Sequence, residues 1–238
     1  RLETIRRDFV ANVSHELRTP VSVIRATAET LQDGAIDQPK HARRFLDALI
    51  RNSERLSQLI ADLLDISRIE AGEYAIDRDN LPLRDAVERS LDTASSRAAK
   101  REITIANHVA SGIRVEADPK ALDQVLLNLI TNAVKYIPDG SRVDVTAQRD
   151  DEMVRVCVED NGPGVGPQHR DRLFERFYRV DSGRSRDVGG TGLGLSIVKH
   201  LVTTMGGEVG YEPNDPNGSV FWFTLPASGT QSSRRGSA

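Results

Sequence analysis

The sequence predicts two units in series. The first is an all-α antiparallel helical hairpin that dimerises into a four-helix bundle; the second is an α+β two-layer sandwich. Three observations carry this. Apolar residues recur every three or four positions across two long stretches near the start, each with a single narrow stripe. Two such helices cannot enclose a core alone, whereas two copies can. Beyond about residue 81 the pattern changes to short alternating strands interleaved with helices.

The first helix reads from Arg1 to about Leu31. Val10, Leu17, Ile24 and Leu31 take the a position of a heptad and Val13 a d position, which puts His15 at f, on the outer face. Pro20 is expected to kink the helix one turn past His15, because proline removes a hydrogen bond from the ladder. Asp33-Gly34 ends the helix. A second helix is expected from Lys40 to Ala71, with Leu49, Leu56 and Leu63 in one row and Leu46, Ser53, Ile60 and Ser67 near another. Gly72 stops it. Residues 1–72 are therefore read as the dimerising hairpin, 73–80 as a linker, 81–226 as the second domain, and 227–238 as a disordered Ser/Gly/Arg-rich tail.

Within the second domain, Leu83 to Ala99 reads as a helix, and Ile103–Asn107 and Arg114–Ala117 as strands. Asp118-Pro119 opens a helix that runs to Tyr136, with Asp as cap and Pro in the first turn. Arg142–Arg149 and Met153–Glu159 are strands. Leu193 to Met205 is a helix, and strands near Glu208–Tyr211 and Ser219–Leu225 close a mostly antiparallel sheet. Cys157 is expected in the strand core and Trp222 as a packing residue. His41, His108, His169 and His200 read as surface or loop residues without a carboxylate partner.

Composition narrows the function. With 32 basic and 35 acidic residues the net charge is −3, which leaves no electrostatic footprint for nucleic acid. The single cysteine excludes an internal disulfide and suits a reducing compartment. No apolar run reaches the length of a membrane span and no signal peptide is visible, so a soluble, cytoplasmic chain is expected. The first residue is Arg, so the sequence is read as part of a longer protein.

Four stretches carry chemistry. Phe9-Val-Ala-Asn-Val-Ser-His-Glu-Leu-Arg-Thr-Pro20 carries His15, and a free imidazole, with a pKa near ~6.5, is in large part a neutral nucleophile at cell pH. Glu16 beside it can accept its proton, and Thr19 lies one turn on. Asn128, Asn132 and Lys135 fall within a ~60° arc of an otherwise apolar helix, as a ligand-facing stripe would. Glu159-Asp-Asn-Gly-Pro-Gly-Val165 ends a strand in a turn. Gly189-Gly-Thr-Gly-Leu-Gly-Leu195 opens into a helix, where close backbone approach and the helix terminus favour phosphate. It lacks the ending of a Walker A loop and does not follow a strand as a Rossmann turn does.

Together these stretches resemble the sensor histidine kinase core of two-component systems, over nearly the whole chain from about Arg7 to about Leu225. The opening block looks like that family's H box, with phosphoacceptor His15, base Glu16 and hydroxyl Thr19. Asn128 to Tyr136 is similar to its N box. The resemblance implies Asn132 as a Mg²⁺ ligand, Asn128 near the phosphates, Lys135 on the phosphate chain and Tyr136 in the site. Asp160, with Gly162 and Gly164, resembles the first glycine box, the carboxylate accepting from the adenine amino group and so favouring ATP over GTP. Arg172 to Arg179 resembles the F box, with Phe174 beside the nucleotide and Arg179 neutralising the transferring phosphoryl. Gly190, Thr191, Gly192, Leu193 and Gly194 match the second glycine box. Ile137 departs from the pattern, where the family usually has a small hydroxyl residue.

The resemblance implies the ATP fold shared with gyrase, Hsp90-type chaperones and MutL, with a lid over about residues 167–189. It implies ATP and Mg²⁺ as cofactors, a homodimer, and a response-regulator receiver domain as partner. It further implies phosphatase activity toward that regulator and a parent anchored in the bacterial inner membrane through N-terminal segments absent here. The opening residues are similar to those of phosphate-sensing kinases. Rival readings are an ATPase machine of the same fold, which would lack the acceptor helix, a pseudokinase scaffold, which would not bind nucleotide, and a phosphatase-dominant enzyme.

Overall fold

A computed structural model describes residues 2–71, 76–180 and 190–228. Helix α1 (Leu2–Gln32) and helix α2 (Pro39–Glu70) fold back on each other through Gly34 and a 3-10 turn at Ala35–Asp37. Gly34 has φ +109°, a left-handed conformation that ends α1 without steric cost. Pro39 opens α2 at its first turn, where a missing N–H costs nothing. Pro20 lies buried inside α1, and the helix is assigned continuously through it.

The stripes read from sequence are only half covered. Leu31 is buried, but Val10 and Val21 are 58% and 49% exposed. A second stripe on α2, absent from the sequence reading, is buried: Leu59, Asp62, Ile66 and Ile69. Their spacing of three or four residues puts them on one face, and that face packs against the second unit, whose hydrophobic core is continuous with Leu59, Ile66 and Ile69.

The second unit begins with a strand that sequence patterning did not reveal. β1 (Asp79–Pro82) pairs antiparallel with β3 (Arg114–Ala117), so Asp79 and Asn80 of the stretch read as linker lie opposite Ala117 and Glu116. Helix α3 (Leu83–Ala99) and strand β2 (Thr104–Asn107) follow. Helix α4 (Pro119–Tyr136) is capped by Asp118, whose side chain accepts from the Ala121 amide at 2.9 Å. The main sheet has the order β2-β4-β5-β7-β6, with β2 parallel to β4 and every other pair antiparallel. Its strands are β4 (Arg142–Asp150), β5 (Met153–Asp160), β6 (Val209–Pro213) and β7 (Ser219–Pro226). A short α5 (Pro167–Arg170) lies in the stretch read as lid, and α6 (Gly194–Thr204) follows.

Val154, Val156 and Val158 alternate inward under the helices, together with Val143 and Val145 from β4. That alternation corrects the reading of Cys157, which is only half-buried and points to the opposite face. There Trp222, its cross-strand partner, stacks under the Arg155 guanidinium at 4.4 Å. His108 likewise has a carboxylate partner, Asp144, at 2.8 Å, brought from 36 residues away by the β2–β4 pairing. Backbone pairing continues through Ala227 and Ser228, bonded to Glu152 and Arg114; residues 229–238 lie outside the described residues. Among the described residues no helix is long and apolar enough to cross a membrane.

Candidate functional site

His15 is exposed on α1, as an outer heptad position requires. Glu16 is gripped from α2 by Arg55, Nη2 donating to Oε2 at 2.7 Å, and the Arg55 side chain is only 12% exposed. A charge-assisted bond between groups this enclosed fixes the Glu16 rotamer. The Thr19 hydroxyl donates to the His15 carbonyl at 3.1 Å, one turn back. Opposite His15 stands the stretch that resembles the F box. A cleft of about 240 Å³ is lined by Asn12, His15 and Glu16 on one side and by Arg172, Glu175, Arg176, Phe177 and Tyr178 on the other.

The stretch behind that wall is tied to the second glycine loop. The Phe177 amide donates to the Gly192 carbonyl at 2.8 Å, with Phe177 at φ +61° and Gly192 at φ +70°. Thr191 is buried. Its Oγ1 accepts from the Leu193 amide at 3.2 Å and donates to Asp62 Oδ2 at 2.6 Å. Gly194 starts α6, so the loop delivers backbone amides at a helix N-terminus, an anion-favouring arrangement.

The polar stripe of α4 faces this loop. A Cβ added to Gly194 would lie 3.3 Å from Asn128 Oδ1, and one added to Gly190 would lie 2.5 Å from Lys135 Nζ and 2.9 Å from the Tyr136 hydroxyl. Asn132, one turn from Asn128, is half-buried on the same face. Burial, then the charges of Arg179, Arg97 and Arg55, lower the Lys135 pKa to about 7, while Asp62 opposes the shift. Asp62 is pushed the other way, its carboxyl raised by burial despite its bonds from Thr191 and Gln58.

Asp160 closes the far end, 6% exposed at the end of β5. Its Oδ1 accepts from the amides of Gly162 at 2.8 Å and Ser219 at 3.2 Å, and burial raises its pKa. Ile137 fills the space beside it: its Cγ2 would lie 2.7 Å from a Cβ on Gly162, so the departure from the family pattern is a packing contact that requires glycine opposite. Gly164, at φ +72°, abuts the Gly218 carbonyl. Phe174 is half-buried in the stretch that leads to Arg179.

The sequence-predicted residues thus fall at two places. His15, Glu16 and Thr19 sit on α1; Asn128, Asn132, Lys135, Tyr136, Asp160 and the glycine loops sit in the second unit, with Arg172 to Tyr178 between. Sequence reading missed Arg55, Asp62, Asp65 and Gln124. Asp65 Oδ2 accepts from Gln124 Nε2 at 2.6 Å across the two units. As a cation site, the amide oxygens of Asn128 and Asn132 are hard donors. Among the described residues no cluster of three His, Cys, Asp or Glu could hold a metal. That donor set fits Mg²⁺ held largely by nucleotide phosphates.

Comparison with known proteins gives the family. Residues 5–72 match the His Kinase A (phospho-acceptor) domain, and residues 117–229 match the histidine kinase-, DNA gyrase B- and HSP90-like ATPase family. The chain is 37% identical over 226 residues to the sensor-like histidine kinase SenX3 of Mycolicibacterium smegmatis, covering 95% of this chain and 59% of that one. It is 41% identical over 204 residues to the phosphate regulon sensor protein PhoR of Pseudomonas aeruginosa, covering 85% and 46%. The chain therefore spans about half the length of these curated relatives. Among solved structures, the mycobacterial sensor histidine kinase MprB is 31% identical at a TM-score of 0.56, covering 63% of this chain and 98% of that chain. A phosphoacceptor hairpin followed by a nucleotide-binding α+β sandwich, with both family matches in that order, places this chain in the sensor histidine kinase family.

Proposed function

We propose that the chain is the catalytic core of an ATP-dependent protein histidine kinase. The γ-phosphoryl of ATP passes to a ring nitrogen of His15 and then to an aspartate of a response-regulator receiver domain. One observation carries this: the exposed imidazole of His15 shares a cleft with Arg172 to Tyr178, and that stretch is hydrogen-bonded to the second glycine loop. Glu16, held by Arg55, takes the imidazole proton. Asn132 would hold Mg²⁺, with Asn128 near the phosphates, and the ion would supply charge neutralisation there. Lys135 binds the phosphate chain, Asp160 the adenine, and Arg179 the transferring phosphoryl; Tyr136, Phe174, Gly162, Gly164 and Gly190 to Gly194 shape the pocket.

In this reading 1–72 is the dimerising phosphotransfer unit, and the ATP-binding unit starts at β1 with Asp79 and includes Ala227 and Ser228. The exposed Val10, Val21, Leu46 and Ile60 meet a second copy in a four-helix bundle. The parent is anchored in a bacterial inner membrane with this core in the cytoplasm, and the likeness to PhoR supports a phosphate-sensing subgroup. Incubation with Mg²⁺ and γ-labelled ATP tests the assignment. Acid-labile, base-stable label is expected on the parent and on neither His15→Gln nor Asn132→Ala. An unlabelled parent that nevertheless binds ATP would overturn it.

Thr19 gives the phosphatase side of the reading. Its hydroxyl proton is donated to the His15 carbonyl, which leaves the oxygen lone pairs to accept from and orient a water. Thr19→Ala is expected to slow dephosphorylation of the regulator at least tenfold with autophosphorylation largely kept. Equal dephosphorylation rates in the two proteins would remove Thr19 from the role.

Lys135 predicts a proton linkage. With a pKa of about 7 in the nucleotide-free site, it is mostly neutral at about pH 8. Phosphates beside it favour the ammonium, so ATP binding takes up close to one proton at that pH and far less at about pH 6. Calorimetry in buffers of different ionisation enthalpy measures this uptake, which Lys135→Met should abolish.

A further inference from the structure

We infer that phosphoryl transfer is intrachain: each chain's nucleotide domain phosphorylates its own His15, and the domain reaches it by docking on the chain's own α2. This rests on the kinase reading above and names which histidine is the substrate.

Three independent contacts carry the inference. The first is apolar: Leu59, Ile66 and Ile69 of α2 are 1%, 3% and 8% exposed, and their partners belong to the core of the same chain's second unit. Apolar side chains buried this fully hold a face to its partner far more firmly than a surface ion pair does. The second is polar and specific. Asp62, 3% exposed, accepts from Thr191 of the phosphate loop at 2.6 Å, and Asp65 accepts from Gln124 of α4 at 2.6 Å. The third is the cleft in which His15 and Glu16 face Arg172, Arg176 and Tyr178 of the same chain.

Helix geometry converts these contacts into reach. Arg55 marks the level of Glu16 on α2. Asp62 lies seven residues further on, roughly 10 Å along the axis at about 1.5 Å per residue. Thr191 of the phosphate loop is therefore within about two helical turns of the acceptor, on the same hairpin. A tilt of the domain about the α2 face spans that distance. By such a tilt the domain reaches its own chain's His15 with Leu59, Ile66 and Ile69 still covered. In the transfer step, the bond from the γ-phosphorus to the bridging oxygen breaks and its electron pair leaves with ADP. The unprotonated ring nitrogen of His15 supplies the new P–N bond, and the ring proton passes to Glu16.

Mixed dimers decide it. Chains carrying His15→Gln and a tag are exchanged with chains carrying Asn132→Ala and a second tag, and the heterodimer is isolated on both tags. Intrachain transfer predicts no labelled histidine in the heterodimer, while a heterodimer of parent and His15→Gln labels its parent chain. Label on the Asn132→Ala chain overturns the proposal. A parent homodimer that fails to label would defeat the kinase reading instead, so a structural readout is kept beside it. In an Asp65→Cys, Gln124→Cys, Cys157→Ser chain, a short bis-maleimide should join the two cysteines within one chain. Covalent dimers, or no cross-link at all, overturn the docking on which the inference stands.

Discussion

Asp160→Ala is expected to weaken ATP binding by about a hundredfold or more and to abolish measurable autophosphorylation at ordinary ATP concentrations. The carboxylate is buried and accepts from the Gly162 and Ser219 amides, and in the proposed function it also accepts from the adenine amino group. Removing it leaves the Gly162 and Ser219 N–H groups unpaired, which lowers stability with or without nucleotide, and leaves the adenine amino group without its charged acceptor, a loss of about 3 kcal/mol in binding. That corresponds to about two decades of affinity. The loss lies at the base, so adenosine, ADP and ATP should weaken by the same factor. Asp160→Asn separates the two roles. Its amide oxygen can still serve the Gly162 and Ser219 amides, so the melting temperature should hold. Base recognition should stay impaired, because the other end of the amide offers a donor to a donor.

The same residue sets a pH dependence. Burial raises the Asp160 pKa in the fold, so the native state binds this proton more readily than the unfolded chain does. Its contribution to stability is therefore present below the unfolded value and is lost as pH rises through the folded one. Asp160→Asn lacks this slope and should melt no lower than the parent near neutral pH. Parent and Asp160→Asn melting curves with identical pH dependence across the acid range would show that the buried carboxylate carries no such linkage.

Much of the site was legible because its signals are local. Asp118-Pro119 fixes the start of α4, and the Asn128, Asn132, Lys135 spacing marks the polar face that lies toward the glycine loop, all within 18 residues. The glycine loop before α6 is equally self-contained. What escaped depends on pairing across the chain. β1 is four residues long and exists because Asp79 finds Ala117, and His108 has a partner only once β2 lies beside β4. Cys157 was misplaced although the flanking valines already dictated its outward direction. The α2 docking face was invisible for another reason. A 32-residue helix with two apolar stripes does not say which stripe meets a second copy and which meets its own chain. Asp62 resolves this, since a buried carboxylate needs a donor, and the donor proved to be Thr191.

Gly192→Ala should cut the phosphate-dependent part of binding while leaving the base pocket intact. Gly192 has φ +70°, and a Cβ there would lie 2.9 Å from both the Cα and the carbonyl carbon of Phe177. Neither is the movable end of a side chain, so the backbone must part. Phe177 already sits at φ +61°, a conformation that costs a non-glycine residue about 1–3 kcal/mol and that its bond to the Gly192 carbonyl helps to hold. Once that bond breaks, the stretch from Arg172 to Arg179 loses its anchor on the phosphate loop and its position opposite His15. ATP affinity is expected to fall at least tenfold and the rate of His15 phosphorylation to fall further, because alignment is lost along with binding. Adenosine, which in the proposed function meets only the Asp160 end, should bind as it does to the parent. Titration of both proteins with adenosine, ADP and ATP therefore reads the two ends of the site separately. If adenosine weakens as much as ATP does, Gly192 supports the whole domain rather than the tie between the phosphate loop and the wall facing the acceptor.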